Sequence, residues 1–258
     1  NDGWENVLIV AHSNNTQINI NGAGPVATIN AGEYYLIEGN SYNSNGNMYV
    51  NTSEDVFAYQ GIGANGSEAN QGMFFVPPLS CETRGNINNI ANIDRIGGTI
   101  YSGGITIVTK TGANVTINNL ALSNFSSIGP STVTGNTDYV TYKVTNLTGD
   151  ISIDSSGELY CAYFNQNGAA SSGSFYSGFP SSPEINFDAS VTTLGNCIPN
   201  VTLKAANTDL FDEFEWFFDD ESGAGFVSTG DKSATYTPTV PGRYQLVGLI
   251  ICSRSTFK

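Results

Sequence analysis

The sequence predicts an all-β protein made of antiparallel sandwiches, a large N-terminal unit followed by a smaller C-terminal one. Three observations predict it. Short runs that alternate apolar and polar residues, or are rich in β-branched ones, recur along the whole chain. Asn-Gly pairs, which supply the positive φ angles of tight hairpin turns, stand at 21–22, 45–46, 65–66 and 167–168. Helical periodicity is absent over any long window, and only "NTDLFDE", Asn207 to Glu213, would tolerate a single helical turn.

Taken in order, the strand-like runs begin with "NVLIVA" (6–11), "TQININ" (16–21), "VATINAGEYYLIEG" (26–39), "NMYVNTS" (47–53), "DVFAYQ" (55–60) and "MFFV" (73–76). Pro77 cannot continue a ladder and Pro78 forces Pro77 into an extended conformation, so the chain must leave the sheet after Val76. Then come "TIYSGGITIVTK" (99–110), "VTINNLAL" (115–122), "YVTYKVTN" (139–146), "ISIDSS" (151–156) and "ELYCAYF" (158–164). "TQININGAG" is echoed by "NVTINNLAL", and "NMYVNTSEDVFAYQGIGANGS" by "DISIDSSGELYCAYFNQNGAASSGS", with an offset drifting from 97 to about 103 residues. An internal duplication is one reading of that echo; a shared Asn- and Ser-rich strand composition is the other. The Gly-, Ser- and Pro-rich stretch "NGAASSGSFYSGFPSSPEINF" marks a boundary, giving domains 1–180 and 181–258. The second reads as "EINF", "NVTLKA", "FEWFF", "SATYTP" and "GRYQLVGLIIC", one small sandwich whose last strand is cut short.

Charged residues make up 12% of the 258, yet acids outnumber bases 23 to 9, for a net charge of -14 and a pI near 4.1. Such a surface repels phosphate backbones and anionic lipid, and favours cations, neutral sugars or basic protein patches. No run approaches the roughly 18 apolar residues of a membrane span. The chain starts inside a strand-like pattern and stops just after one, so a piece of a longer protein is expected. The four cysteines include no CxxC pair, and His12 is the single histidine, so disulfides in an oxidising compartment are expected rather than zinc. Seven Asn-x-Ser/Thr sequons, at Asn14, Asn51, Asn65, Asn114, Asn124, Asn146 and Asn200, are what an Asn-, Ser- and Thr-rich composition produces by chance.

In the second unit Cys197 precedes "NVTLKAA", Trp216 lies on the next strand and Cys252 ends the last, the order in which Ig-like sandwiches bring distant strands together. A Cys197–Cys252 bridge follows. The stretch "FEWFFDDESGAGFVSTGDKSATYTPTVPGRYQLVG" resembles the PKD-type Ig-like module, with Trp216 in the core and a "Y-x-P-x-x-x-G-x-Y" ending from Tyr236 to Tyr244. The usual "DFGDG" after the tryptophan is replaced by "FFDDESGAG", so a neighbouring bacterial Ig-like group fits as well. Asp219, Asp220 and Glu221 at that turn offer enough oxygens for a calcium ion, the one cofactor considered, against the plainer reading of solvated turn carboxylates.

In the first unit Cys81 follows the proline exit, and its one unclaimed partner there is Cys161. A Cys81–Cys161 bridge is expected, closing a loop of about 80 residues for roughly 4 kcal/mol on the chain-entropy model. Thr16 to Gly22, Ala31 to Glu33, Val56 to Gln60 and Met73 to Pro78, in that order, resemble the successive motifs of the IgGFc-binding protein N-terminal domain family over roughly residues 7–170. The resemblance implies large extracellular proteins of adhesive character and, in bacteria, long surface proteins carrying PKD or Ig-like modules, often in gliding Bacteroidetes that use type IX secretion. It carries no site residue across.

Catalysis finds little footing. The neighbours of His12, "VAHSNN", hold no nucleophile elbow or metal spacing, and Glu33, Glu38, Glu54, Asp55, Asp150 and Asp154 lie mostly at turns. Binding is better supported: Tyr34, Tyr42, Tyr176 and Phe179 stand in polar surroundings and suit sugar stacking, although one of Tyr34 and Tyr35 must face inward on a regular strand. The expectation is a non-catalytic segment of a secreted or cell-surface protein, adhesive or structural, whose partners are surface glycans, proteins or neighbouring domains. A carbohydrate-binding module and a filament stalk are the alternatives.

Overall fold

A computed structural model describes residues 5–61, 72–81, 83, 85–168, 170–175, 184–190, 200–206, 208 and 211–250. The chain divides into two compact units, Asn1–Phe179 and Pro180–Lys258. Every regular element among the described residues is a strand apart from short 3-10 turns.

The first unit holds two sandwiches. The first is built from β1 (Asn6–Ala11), β2 (Thr16–Ile20), β3 (Pro25–Ile29), β4 (Tyr34–Glu38), β5 (Val50–Thr52), β6 (Val56–Gly61) and β7 (Met73–Phe75). Its sheets run β4-β1-β6-β7 and β3-β2-β5, all antiparallel. Strand alternation sends Ile9, Ala11, Ile18, Ile29 and Ile37 into one shared core. The β2–β3 hairpin turns at Asn21 and Gly22, both at positive φ (52° and 73°), as an Asn-Gly turn requires.

The second sandwich contains β8 (Asn86–Ile90), β9 (Arg95–Ile96), β10 (Thr99–Ile100), β11 (Ser102–Lys110), β12 (Val115–Ile117), β13 (Leu120–Ala121), β14 (Ser126–Thr132), β15 (Tyr139–Leu147), β16 (Ile151–Ser155), β17 (Leu159–Asn167) and β18 (Ala170–Phe175). Its sheets run β14-β15-β11-β17-β18 and β13-β12-β16-β8 over a core that includes Ile105, Ile107, Ile117, Val144, Ile153 and Leu159. The order β15-β11-β17-β18 matches β4-β1-β6-β7 strand for strand, and β13-β12-β16 matches β3-β2-β5. Ile9, flanked by Tyr35 and Ala58, corresponds to Ile107, flanked by Tyr142 and Cys161.

That correspondence explains a correction. Cys161 does not bridge to Cys81: it is a fully buried thiol in the core, in the place that Ala58 occupies in the first sandwich, and burial pushes its pKa up. Its neighbour Tyr160 points the other way, as strand alternation demands, and meets the proline exit. The Tyr160 hydroxyl accepts from the Ser80 N–H and donates to the Ser80 carbonyl at 2.8 Å. The right strand holds the exit, by a tyrosine rather than a cysteine. Cys81 is itself disulfide-bonded; Cys197 and Cys252 lie outside the described residues.

Other expectations shift in detail. The run 26–39 is two strands, because the chain turns at 30–33, where the Glu33 carboxylate accepts the Asn30 N–H at 2.7 Å and Gly32 sits at φ 79°. The small-residue stretch after Asn167 forms β18, since the turn at Gly168 lays it back on β17 and a ladder needs only backbone groups. Val76 still donates to the Ala58 carbonyl at 2.9 Å, and the ladder stops at Pro77. In the helix-tolerant stretch at 207–213, residues 207, 209 and 210 lie outside the described residues and Glu213 opens a strand.

The second unit has β19 (Glu184–Ser190), β20 (Asn200–Ala206), β21 (Glu213–Asp219), β22 (Val227–Ser228), β23 (Thr235–Tyr236) and β24 (Arg243–Leu249), in sheets β19-β20-β23 and β22-β21-β24. Trp216 is fully buried between them, stacks on Tyr236 at 5.6 Å and donates its indole N–H to the Ser233 carbonyl at 3.0 Å, so its polar edge is satisfied. Tyr244 packs on Phe218 and Tyr236, and its hydroxyl donates to the Val240 carbonyl four residues upstream.

Candidate functional site

The sheet β4-β1-β6-β7 has two faces. Val7, Ile9, Tyr35 and Ile37 turn into the core, so the pairing register places the remaining side chains outward in rows. One row is Tyr34–Val10–Phe57; the next is Leu36–Leu8–Tyr59–Phe75, where Tyr59 meets Phe75 edge to face at 5.8 Å. Tyr34 is 69% exposed, Phe57 49% and Leu36 43%, while Leu8, Val10, Tyr59 and Phe75 are partly covered. Single exposed apolar residues are ordinary, whereas here three exposed ones adjoin four partly covered ones on a single face.

Exposed carboxylates edge this face. Glu38 follows Leu36 on the same side of β4, and Asp55 precedes Phe57 with the same parity. Glu33 and Glu54 are exposed beside them. The first Lys or Arg in the sequence is Arg84, so residues 1–83 carry eight acids (Asp2, Glu5, Glu33, Glu38, Glu54, Asp55, Glu68, Glu82) and no base to offset them.

The second sandwich shows the same face in another state. Its equivalent rows are Thr141–Val108–Tyr160 and Lys143–Thr106–Ala162–Phe175. The first of these is covered by the 43–49 loop of the first sandwich. Asn47 donates to the Thr141 hydroxyl at 2.9 Å and to the Thr132 carbonyl at 3.1 Å, and accepts from Asn43 at 2.6 Å. Tyr49 packs against Val133, Tyr139 and Tyr160. The two sandwiches also touch where Phe74 lies 6.2 Å from Phe175, and where Gly22 meets Gly135 so closely that a Cβ on Gly22 would stand 2.8 Å from the Gly135 Cα.

Two of the expected ligand aromatics, Tyr34 and Tyr42, are among the described residues. Tyr34 is on the exposed face, whereas Tyr42 closes the 3-10 turn Gly39–Ser41, and burial, with Glu5 nearby, pushes its hydroxyl pKa well up. Tyr176 and Phe179 lie outside the described residues. Tyr35 is the inward member of its pair. Leu8, Val10, Leu36, Phe57, Tyr59 and Phe75 were missed as a surface because their alternation reads as an ordinary half-buried strand; Tyr34-x-Leu36 and Phe57-x-Tyr59 on the polar parity were the available signal.

The carboxylates at the calcium candidate do not converge. Asp219, nearly buried, accepts the Glu221 N–H at 2.8 Å and pairs with Arg243 at 3.7 Å. Asp220 accepts the Ser222 N–H at 3.0 Å, and its bonds to Ser222 hold its pKa low. Among the described residues no three His, Cys, Asp or Glu side chains are placed to share a metal ion. Glu33 and Asp150 likewise cap turns, Asp150 accepting the Asn92 N–H at 2.9 Å.

The first unit is thus an all-β pair of antiparallel sandwiches in contact, with an apolar outer sheet face on which Tyr34, Leu36 and Phe57 are exposed. The sequence profile of the family described as IgGFc binding protein matches residues 2–176, and the chain belongs to that family. No curated protein and no solved structure matches it. The membership accords with a non-enzymatic, extracellular domain.

Proposed function

We propose that the chain is an adhesive segment of an extracellular or cell-surface protein, in which the family domain supplies the contact and the second unit is a PKD or Ig-like spacer. The observation that carries this is the apolar outer face Tyr34–Val10–Phe57 and Leu36–Leu8–Tyr59–Phe75, on which Tyr34, Leu36 and Phe57 are exposed, a surface that costs solubility unless something binds it. The spacer reading is supported by buried Trp216 and by Tyr244, whose hydroxyl reaches back to Val240 in the manner of an Ig-like tyrosine corner. The strand-for-strand match of the two sandwiches supports an origin by duplication.

Carbohydrate binding is the second reading, favoured by exposed Tyr34 lying in one row with Phe57. Beads coated with the chain are expected to be retained under flow on a mucin-type glycoprotein surface more than beads coated with albumin. Equal retention would sink the adhesive reading. Loss of retention when the surface is deglycosylated would favour the carbohydrate one.

A further inference from the structure

We infer that the outer face of β4-β1-β6-β7 docks a protein partner whose own contact surface is apolar and rimmed by lysine or arginine. The inference deepens the adhesive reading and rests on it. Its first support is internal. In the second sandwich the equivalent row Thr141–Val108–Tyr160 is already covered by a protein segment, the loop carrying Asn47 and Tyr49. The fold thus uses this face for sandwich-to-protein contact, and in the first sandwich Tyr34, Leu36 and Phe57 of the same face are exposed.

The second support is composition. Where the second sandwich has Lys143, Thr106 and Ala162, the first has Leu36, Leu8 and Tyr59. Lys143 and Thr106 show that the fold does not require apolar residues at the Leu36 and Leu8 positions, so those two leucines in the first sandwich call for a partner. Leu8 and Val10 occupy the middle strand between the aromatics of β4 and β6, breaking the continuous ring platform that a stacked sugar needs and suiting apolar side chains instead.

Charge selects among protein partners. Glu38 and Asp55 edge the face within a segment of eight acids that has no Lys or Arg before Arg84. A second copy would bring the same sign of charge to the contact and be repelled, whereas a basic rim is attracted and steered in.

The test pans the full chain against a displayed library of short random peptides, then measures the best binder by fluorescence anisotropy at low and high salt. Comparison proteins are a Leu36→Ser/Phe57→Ser pair and a Glu38→Gln/Asp55→Asn pair, each checked to melt near the wild-type temperature. The expected binders combine apolar residues with Lys or Arg. The serine pair should weaken them roughly tenfold or more, and the amide pair should weaken them at low salt and flatten the salt dependence.

Binders indifferent to both pairs, or a library yielding none that senses the face, would overturn the inference. So would a wild-type dimer in sedimentation that the serine pair dissolves, or glycan-array binding that the serine pair abolishes. If coated beads still adhere when carrying the serine pair, the adhesive reading stands and the docking face falls; if wild-type beads never adhere, the broader reading fails first.

Discussion

Tyr160 and Ser80, 80 positions apart, share two hydrogen bonds: the tyrosine hydroxyl accepts the serine N–H and donates to the same residue's carbonyl. The chain is thereby held as it leaves the first sandwich past Pro77 and Pro78. Tyr160→Phe keeps the ring packing against Tyr139 and Val133 but removes both of these hydrogen bonds, leaving the Ser80 carbonyl with the Thr83 N–H at 3.1 Å. A loss of about 1–3 kcal/mol is expected, read as a lower urea midpoint with faster amide exchange confined to residues 76–81.

Cys161 should behave as a core residue. Native protein is expected to alkylate at this position far more slowly than urea-unfolded protein, because the thiol is fully buried and its thiolate suppressed. Peptide mapping after trapping with iodoacetamide reads this directly. Recovery of a peptide joining Cys81 to Cys161 would contradict the placement.

Asn47 is the buried centre of the joint between the two sandwiches, with both sides of its amide engaged. Asn47→Ala should cost about 1–3 kcal/mol and open the joint to proteolysis between residues 43 and 49. A variant as resistant as wild type would show that Tyr49 and the Phe74–Phe175 contact hold the joint unaided.

Trp216→Ala removes the largest fully buried side chain of the second unit and the partner of Tyr236. The expected cost is about 3–5 kcal/mol, seen as lost amide protection in 200–250. Retained protection there would refute its central place in that core.

Alkaline pH should destabilise the first unit. Burial raises the pKa values of Cys161, Tyr42, Tyr139 and Tyr160 in the folded chain, and Tyr139 is raised further by donating to Glu158 at 2.5 Å. Each group keeps its proton in the native state after the unfolded chain has released it. Stability is therefore full below the unfolded values, about 8.5 for Cys and 10 for Tyr, and falls as pH rises beyond them. Urea midpoints at about pH 7 and pH 10 check the sign; a higher midpoint at the alkaline value would contradict it.

Residue order alone determined a good deal of this protein. Period-two runs placed β1, β2, β6, β15 and β16 to within one residue at each end and found β17 three residues short of its end, and Asn21-Gly22 and Asn167-Gly168 marked hairpins, because alternation and positive-φ turns are local properties. The motifs from Thr16 to Pro78 carried the family resemblance, to which residues 2–176 belong. Tertiary structure decided what depends on face and register. Whether Cys161 or its neighbour Tyr160 meets the 77–81 exit is a matter of one position along β17, and a one-residue step reverses the side of the sheet. Whether Leu36, Phe57 and Tyr59 are core or surface turns on the same parity, settled by which side of β1 the β2-β3-β5 sheet packs against. A sequence records alternation but does not say which phase is covered, because covering is done by residues far along the chain.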